Sequence, residues 1–335
     1  MPADRLSPAG VQKTVTAVLD VLAGTPLSKA ADLMGMDPTE LAAAVDVFRQ
    51  AGSRALEQQA ATPDWWQIYV EFPDWATAET TAATHLAPLL DQADIEWWFI
   101  RKHPCWRVRL YTQGHPGSTK ATVSTALDEL AATGHIRRWW TGIYEPESAA
   151  FGGTEAMKAA HHLFHADSRA ILTLPHETHH GVGRRELSVL LCTALMRGAG
   201  LEWYEQGDVW QRVSAERPPP SDAMPDRLQS MAACLRPVLL ADLYPDGPLL
   251  SDGGPAAFAT DWIDAFRALG TFLREAAREG RLERGLRQVL AYHVIFHWNR
   301  LGLPARTQST LAWAARTAVL DGQTLRITAK GGVSQ

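Results

Sequence analysis

Cysteine is scarce in this chain of 335 residues: Cys105, Cys192 and Cys234 are scattered, odd in number and without a CxxC pair. That spacing supports neither a disulfide framework nor a zinc knuckle, and it suits reduced thiols in a cytoplasmic protein. Positive charge is not in excess. A formal net charge of -5 argues against a general nucleic-acid binder, which needs a basic face to neutralise phosphates. No apolar signal core follows Met1-Pro2-Ala3-Asp4-Arg5, and no apolar run is long enough to cross a bilayer, so a soluble chain without membrane contact is expected. There is no GxxxxGK loop and no GxGxxG turn after a strand, so no nucleotide cofactor is expected. Repeats and low-complexity tracts are also missing.

Tryptophan, by contrast, is abundant at 13 residues, and the doublets Trp65-Trp66, Trp97-Trp98 and Trp139-Trp140 each fall in a segment that reads as a strand. Such residues line cores or grooves. The length allows more than one folding unit. Residues 1–60 read as a helical, helix-turn-helix-like module, with Asp37-Pro38 as a helix start and Gly52 as a stop. Its last helix carries Asp37, Glu40 and Asp46 against Arg49, which would repel phosphates, so docking or dimerisation is the reading rather than DNA binding. Residues 61–325 form the main domain and 326–335 a tail. Within that domain a strand (Trp65 to Phe72), a helix (Ala76 to Gln92), a strand hairpin, a helix (Ser118 to Ala132) and a strand (His135 to Tyr144) follow one another. The fold class is therefore α+β: a ferredoxin-like βαββαβ layer, then a mainly helical half.

In the hairpin, Arg107 and Arg109 alternate with Val108 and Leu110, so the period of two puts both guanidiniums on one sheet face. Arginine stays charged and grips carboxylates through a planar fork, which makes the pair a candidate anion clamp, with Arg101 just before the turn. A solvated face with ion pairs to helices is the alternative.

No metal is expected. His176-Glu177-Thr178-His179-His180 matches HExxH literally, but Pro175 before it and Gly181 and Gly183 after it deny the motif the continuous helix that zinc binding needs. His161/His165 and His293/His297 sit one helical turn apart and read as packed histidines. Gly152-Gly153 ahead of a helix can expose amides to an anion, and Asp167 or Ser168 reads as a helix cap, with a catalytic serine as the alternative.

Four segments in order, FIRKHPCWRVRLY, IYEPESAAFGG, AHHLFHADSRAIL and HVIFHWNRLGL, resemble the thiopeptide-type bacteriocin biosynthesis domain, the C-terminal domain of lantibiotic dehydratases, from about Trp65 to the C-terminus. The resemblance implies action on a leader-bearing precursor peptide. In full-length dehydratases this domain eliminates glutamate from glutamylated Ser or Thr; stand-alone relatives include split elimination subunits and pyridine synthases, which join two dehydroalanines and expel the leader. By motif, Arg107 and Arg109 correspond to the eliminating arginines. A further family arginine is replaced by Ala150, and the family's histidine falls near His297, or two residues earlier at Ile295. The resemblance thus gives Arg107, Arg109 and His297 as candidate catalytic residues, and His161 is a further candidate for the proton transfer that elimination needs. Arg101, Trp106, Tyr144, Gly152, Gly153, Asp167, Ser168, Arg169, Asn299 and Arg300 are the candidate substrate-binding residues. Glutamate elimination is the reading favoured, because Arg107 and Arg109 are both present, with pyridine formation or a non-catalytic leader-binding subunit as alternatives; the expected partners are the precursor peptide, a separate glutamylating subunit and a second copy of the chain. No cofactor is implied.

Overall fold

The computed structural model describes residues 8–60, 65–112, 116–174, 181–219 and 224–321. The HETHH segment and the expected tail lie outside them. Two compact units, 1–64 and 65–335, divide the chain.

In the first unit α1 (Pro8–Leu22), α2 (Leu27–Met34) and α3 (Pro38–Ala60) close around Ala17, Val18, Ala30, Ala31, Leu41 and Val45. Asp37 caps α3, its Oδ1 accepting the Thr39 and Glu40 amides at 2.8 and 3.2 Å. The expected stop at Gly52 is not there, since α3 runs through it to Ala60. A helical glycine costs only about 1 kcal/mol relative to alanine, which the flanking helix formers offset.

The second unit begins with a four-stranded sheet. Its strands β1 (Trp65–Glu71), β2 (Trp97–Lys102), β3 (Cys105–Tyr111) and β4 (Arg138–Gly142) lie in the order β2-β3-β1-β4, every neighbouring pair antiparallel. Between β1 and β2 run α4 (Ala78–Thr81), a π-helical turn (Ala82–Leu86) and α5 (Ala87–Gln92); α6 (Pro116–Ala132) links β3 to β4. This is the expected ferredoxin-like layer. Alternation explains its two faces: Trp66, Ile68, Val70, Phe99, Trp106, Val108 and Leu110 pack with Ala82, Leu86, Leu90, Val123 and Leu127 of the helices. Trp98 faces the other way, toward Tyr144, Phe151, Met157, Ala160 and Phe164.

The helical half comprises α7 (Thr154–Thr173), α8 (Arg184–Gly198), α9 (Trp203–Glu216), α10 (Pro225–Leu240), α11 (Thr260–Arg278), α12 (Leu286–Leu301) and α13 (Ala305–Leu320). One expectation fails here. Asp167 and Ser168 do not cap a new helix but lie inside the uninterrupted α7, both wholly buried. Among the described residues no helix is long and apolar enough to cross a membrane.

Candidate functional site

The sheet face opposite α4 to α6 gathers the polar groups. Register sets Gln67 of β1 against Arg109 of β3 and Tyr69 against Arg107, so period two places all four side chains on one side. Arg109 is buried, donates from Nε to Gln67 Oε1 at 2.9 Å, and holds its guanidinium carbon 4.3 Å from the Trp98 ring centre and 5.1 Å from that of Tyr144. The half-buried Arg107 lies 5.7 Å from the centre of Tyr69. Among the described residues Arg109 Nη1 and Arg107 Nε, both buried atoms, have no hydrogen-bond partner. A buried donor left unmade costs about 1–3 kcal/mol, so each is primed for an incoming acceptor. Burial pushes Arg109 down from 12.5 to about 10, against the opposing pull of Tyr144 and Glu147, which leaves it charged at neutral pH.

Beside Arg109, the Tyr144 hydroxyl and His161 Nε2 share a hydrogen bond of 2.8 Å. His161 is pushed from 6.5 to about 3 by burial, then by His162 and Arg109, and is therefore neutral. Burial also raises the Tyr144 phenol well above its ordinary value, with Arg109 opposing and Glu147 adding to the shift. One proton lies between the two atoms of a pair that is neutral as a whole. Trp65 covers His161 at a ring separation of 4.4 Å and Tyr111 at 5.2 Å. Gly142 matters here because a Cβ on it would collide with the Tyr69 ring and come within 3.1 Å of Gln67 Nε2.

Of the sequence candidates, the structure thus brings together Arg107, Arg109, Tyr144 and His161. The others it separates from this face. Arg101 pairs across the hairpin with Trp106, so both point to the opposite side, where Arg101 stacks on the Trp106 ring at 4.7 Å and bridges Glu79 at 2.6 Å. Arg184 completes that ion pair with two bonds to Glu79 at 2.8 and 2.9 Å. Arg101 and Trp106 thus lie on the face away from Arg107 and Arg109.

His297, Asp167 and Arg300 form a sealed network in the helical core, all with no exposed surface. Asp167 accepts from Arg300 Nε at 2.6 Å, Trp262 Nε1 at 2.9 Å and His297 Nδ1 at 3.0 Å. Burial alone would raise the Asp167 carboxyl; the His297 and Arg300 charges and hydrogen bonds outweigh it and hold the pKa below its ordinary value. Phe164 walls this network off, packing on Trp98 at 4.9 Å and beneath Arg300 at 4.2 Å. His297, expected to take part in proton transfer, lies in this network with no exposed surface, and its Nε2 has no hydrogen-bond partner among the described residues. Ser168 is likewise interior and accepts the Phe99 amide at 3.2 Å; Arg169 points outward to Asp91 at 3.4 Å. Asn299 accepts from Gln308 at 3.1 Å.

Gly152 and Gly153 have φ of 92° and 110°, which side chains rarely adopt. The Gly153 amide donates to Ser148 at 2.8 Å, and the Glu283 carboxylate lies against Gly153 at the α7 N-terminus. Among the described residues no group of three or more His, Cys, Asp or Glu side chains is placed to hold a metal ion. Gln67, Tyr69 and Gly142 are the site residues that sequence reasoning missed; the alternation Trp65, Gln67, Tyr69 in β1 was the available signal.

These features define a class: an α+β domain whose antiparallel sheet presents two arginines beside a neutral tyrosine–histidine pair. The lantibiotic biosynthesis dehydratase C-terminal family matches residues 65–319, and the chain belongs to that family. Among similar solved structures, the tRNA-dependent lantibiotic dehydratase MibB from Microbispora sp. 107891 shares 22% identity at a TM-score of 0.57, over 80% of this chain and 29% of MibB. TsrL shares 17% at 0.53, over 79% of this chain and 97% of TsrL. The pyridine synthase TbtD from thiomuracin biosynthesis shares 13% at 0.53, over 78% and 99%. The chain spans less than a third of MibB, and at these identities the likeness is one of fold. No curated protein matches the chain.

Proposed function

We propose that this protein modifies a leader-bearing, ribosomally made peptide by eliminating glutamate from glutamylated Ser or Thr, leaving a dehydroamino acid. The observation that carries the reading is the pair of guanidiniums, Arg107 and Arg109, with donors that have no partner among the described residues. Family membership supplies the context.

In the step proposed, a base takes the α-proton, the electron pair forms the Cα–Cβ double bond, and the Cβ–O bond breaks. Glutamate leaves with both oxygens of the former ester as a carboxylate. Arg107 and Arg109 hold that anion, and His161, backed by Tyr144, receives the proton. A resting pKa of about 3 makes His161 a weak base, and Arg109 is one cause of that depression. A carboxylate bound at Arg109 offsets its charge and so raises the basicity of His161 when substrate is present. The reaction requires a partner that attaches glutamate beforehand.

Pyridine formation from two dehydroalanines is the second reading. It is favoured by Ala150 standing where the family motif has an arginine, and by a neutral Tyr144–His161 pair suited to shuttling a proton. One experiment separates the two. Purified protein is incubated alone with a synthetic peptide bearing a glutamylated serine and, separately, with one bearing two dehydroalanines, and products are read by mass spectrometry. Elimination is expected to release glutamate from the first; leader loss from the second, with the first unchanged, would replace it with pyridine formation. No reaction with either would leave a leader-binding subunit.

A further inference from the structure

We infer that the outer edge of β4 receives an extended, acidic segment of the peptide substrate as a fifth strand. This rests on the peptide-modifying reading above and concerns where the part of the peptide away from the reacting residue is held.

The sheet treats its two edges differently. Along β2 the backbone is closed off by α7: His165 Nδ1 lies 3.2 Å from the Trp97 nitrogen and 2.8 Å from its carbonyl oxygen, and Ser168 Oγ accepts the Phe99 amide at 3.2 Å. At the other end β4 pairs only with β1, and no described strand runs along its far side. Arg138, Trp140 and Thr141 are exposed. A strand with one side unpaired offers a row of amides and carbonyls that another extended chain can complete.

Charge selects the occupant. Arg137 and Arg138 share one carboxylate, Glu71, at 3.4 and 2.7 Å; their side chains are 60% and 67% exposed against 16% for Glu71. Two cations on one anion leave positive charge in excess at the edge. A second copy of β4 would bring like charges together, whereas an acidic strand would neutralise them.

Geometry ties the edge to the candidate site. Trp140 stacks on Tyr69 at 5.2 Å with 8° between the planes, and Tyr69 in turn lies beside Arg107. With strands about 4.8 Å apart, a fifth strand sits roughly 15 Å from β3. An extended chain covers that span in about five residues at some 3.3 Å each. The docked segment and the residue reacting at Arg107 and Arg109 are therefore separated by at least about five positions.

The test uses the full chain and a fluorescein-labelled octapeptide of alternating Glu and Val, with binding read by anisotropy and backbone contact by amide hydrogen exchange. Expected are slowed exchange across residues 138–142 and at least tenfold weaker binding to the Arg137→Glu/Arg138→Glu variant. Two N-methylated forms of the peptide, one methylated on odd and one on even positions, separate strand pairing from simple charge attraction, because only alternate amides face β4. One form loses binding and the other keeps it. Equal behaviour of the two forms, protection elsewhere, or protection that grows with protein concentration without peptide overturns the inference, the last assigning the edge to a second copy. None of these readouts uses glutamate release, so failure of the edge and failure of the elimination chemistry are scored independently.

Discussion

Asp167→Asn is a severe test of the buried network, because it removes one negative charge and little volume. In the parent protein Arg300 and His297 have no exposed surface and depend on Asp167 for their bonds at 2.6 and 3.0 Å. Arg300 Nη1 and Nη2 already lack partners among the described residues. The variant therefore strands a guanidinium that water cannot reach, a defect that costs about 3–5 kcal/mol. For a unit of this size each kcal/mol moves the midpoint by about 2–4 °C, so the thermal midpoint should fall by roughly 6–20 °C. Combining Asp167→Leu with Arg300→Met removes the charges together. That double variant should be more stable than Asp167→Asn, since a buried pair replaced by apolar side chains is often close to neutral. Differential scanning calorimetry of the parent and both variants decides it. A midpoint within about 2 °C of the parent for Asp167→Asn would contradict the cost assigned to an unpaired, buried Arg300.

Glu79→Gln should lower stability by about 2–4 kcal/mol in chemical unfolding, since Arg101 and Arg184 lose a shared and largely buried partner; turnover per folded molecule should stay unchanged because Arg101 is on the far sheet face. Tyr144→Phe keeps the ring but removes the hydroxyl bonded to His161, and a fall in turnover of about 100-fold with little change in thermal midpoint is expected. His161 and His293 are each pushed by burial from 6.5 to about 3, so the unfolded chain binds more protons in that interval. Stability should therefore rise with pH between about 3 and 6.5, by at most about 1.4 kcal/mol per pH unit for each ring. In His161→Phe that slope should be smaller, as measured by urea midpoints across the interval.

Local periodicity was enough to read the layer order and to pair Arg107 with Arg109, because facing within one strand depends only on counting by two. The face of Arg101 follows only from the hairpin register: Lys102 pairs with Cys105 across His103-Pro104, which sets Arg101 opposite Trp106 and away from Arg107 and Arg109. Asp167 and Ser168 looked like caps because those residue types usually are. What makes them interior is a set of partners far away in sequence, Trp262, His297 and Arg300 for Asp167 and Phe99 for Ser168, and no local pattern announces them. Tyr144 meeting His161 depends likewise on how the turn at Gly152-Gly153 returns α7 against β2. Gln67 and Tyr69 were within reach of the alternation in β1, but only register against β3 gives them partners.

Whether Arg107 and Arg109 form an anion clamp on the sheet face is read most directly from glutamate release by their lysine variants. Lysine keeps the charge and loses the planar fork. With a glutamylated peptide as substrate, each of Arg107→Lys and Arg109→Lys should lower turnover by about 100-fold, equivalent to some 2–4 kcal/mol of transition-state stabilisation, while the thermal midpoint stays within a few degrees. Turnover equal to the parent in both variants would contradict the clamp and remove the reason for preferring elimination.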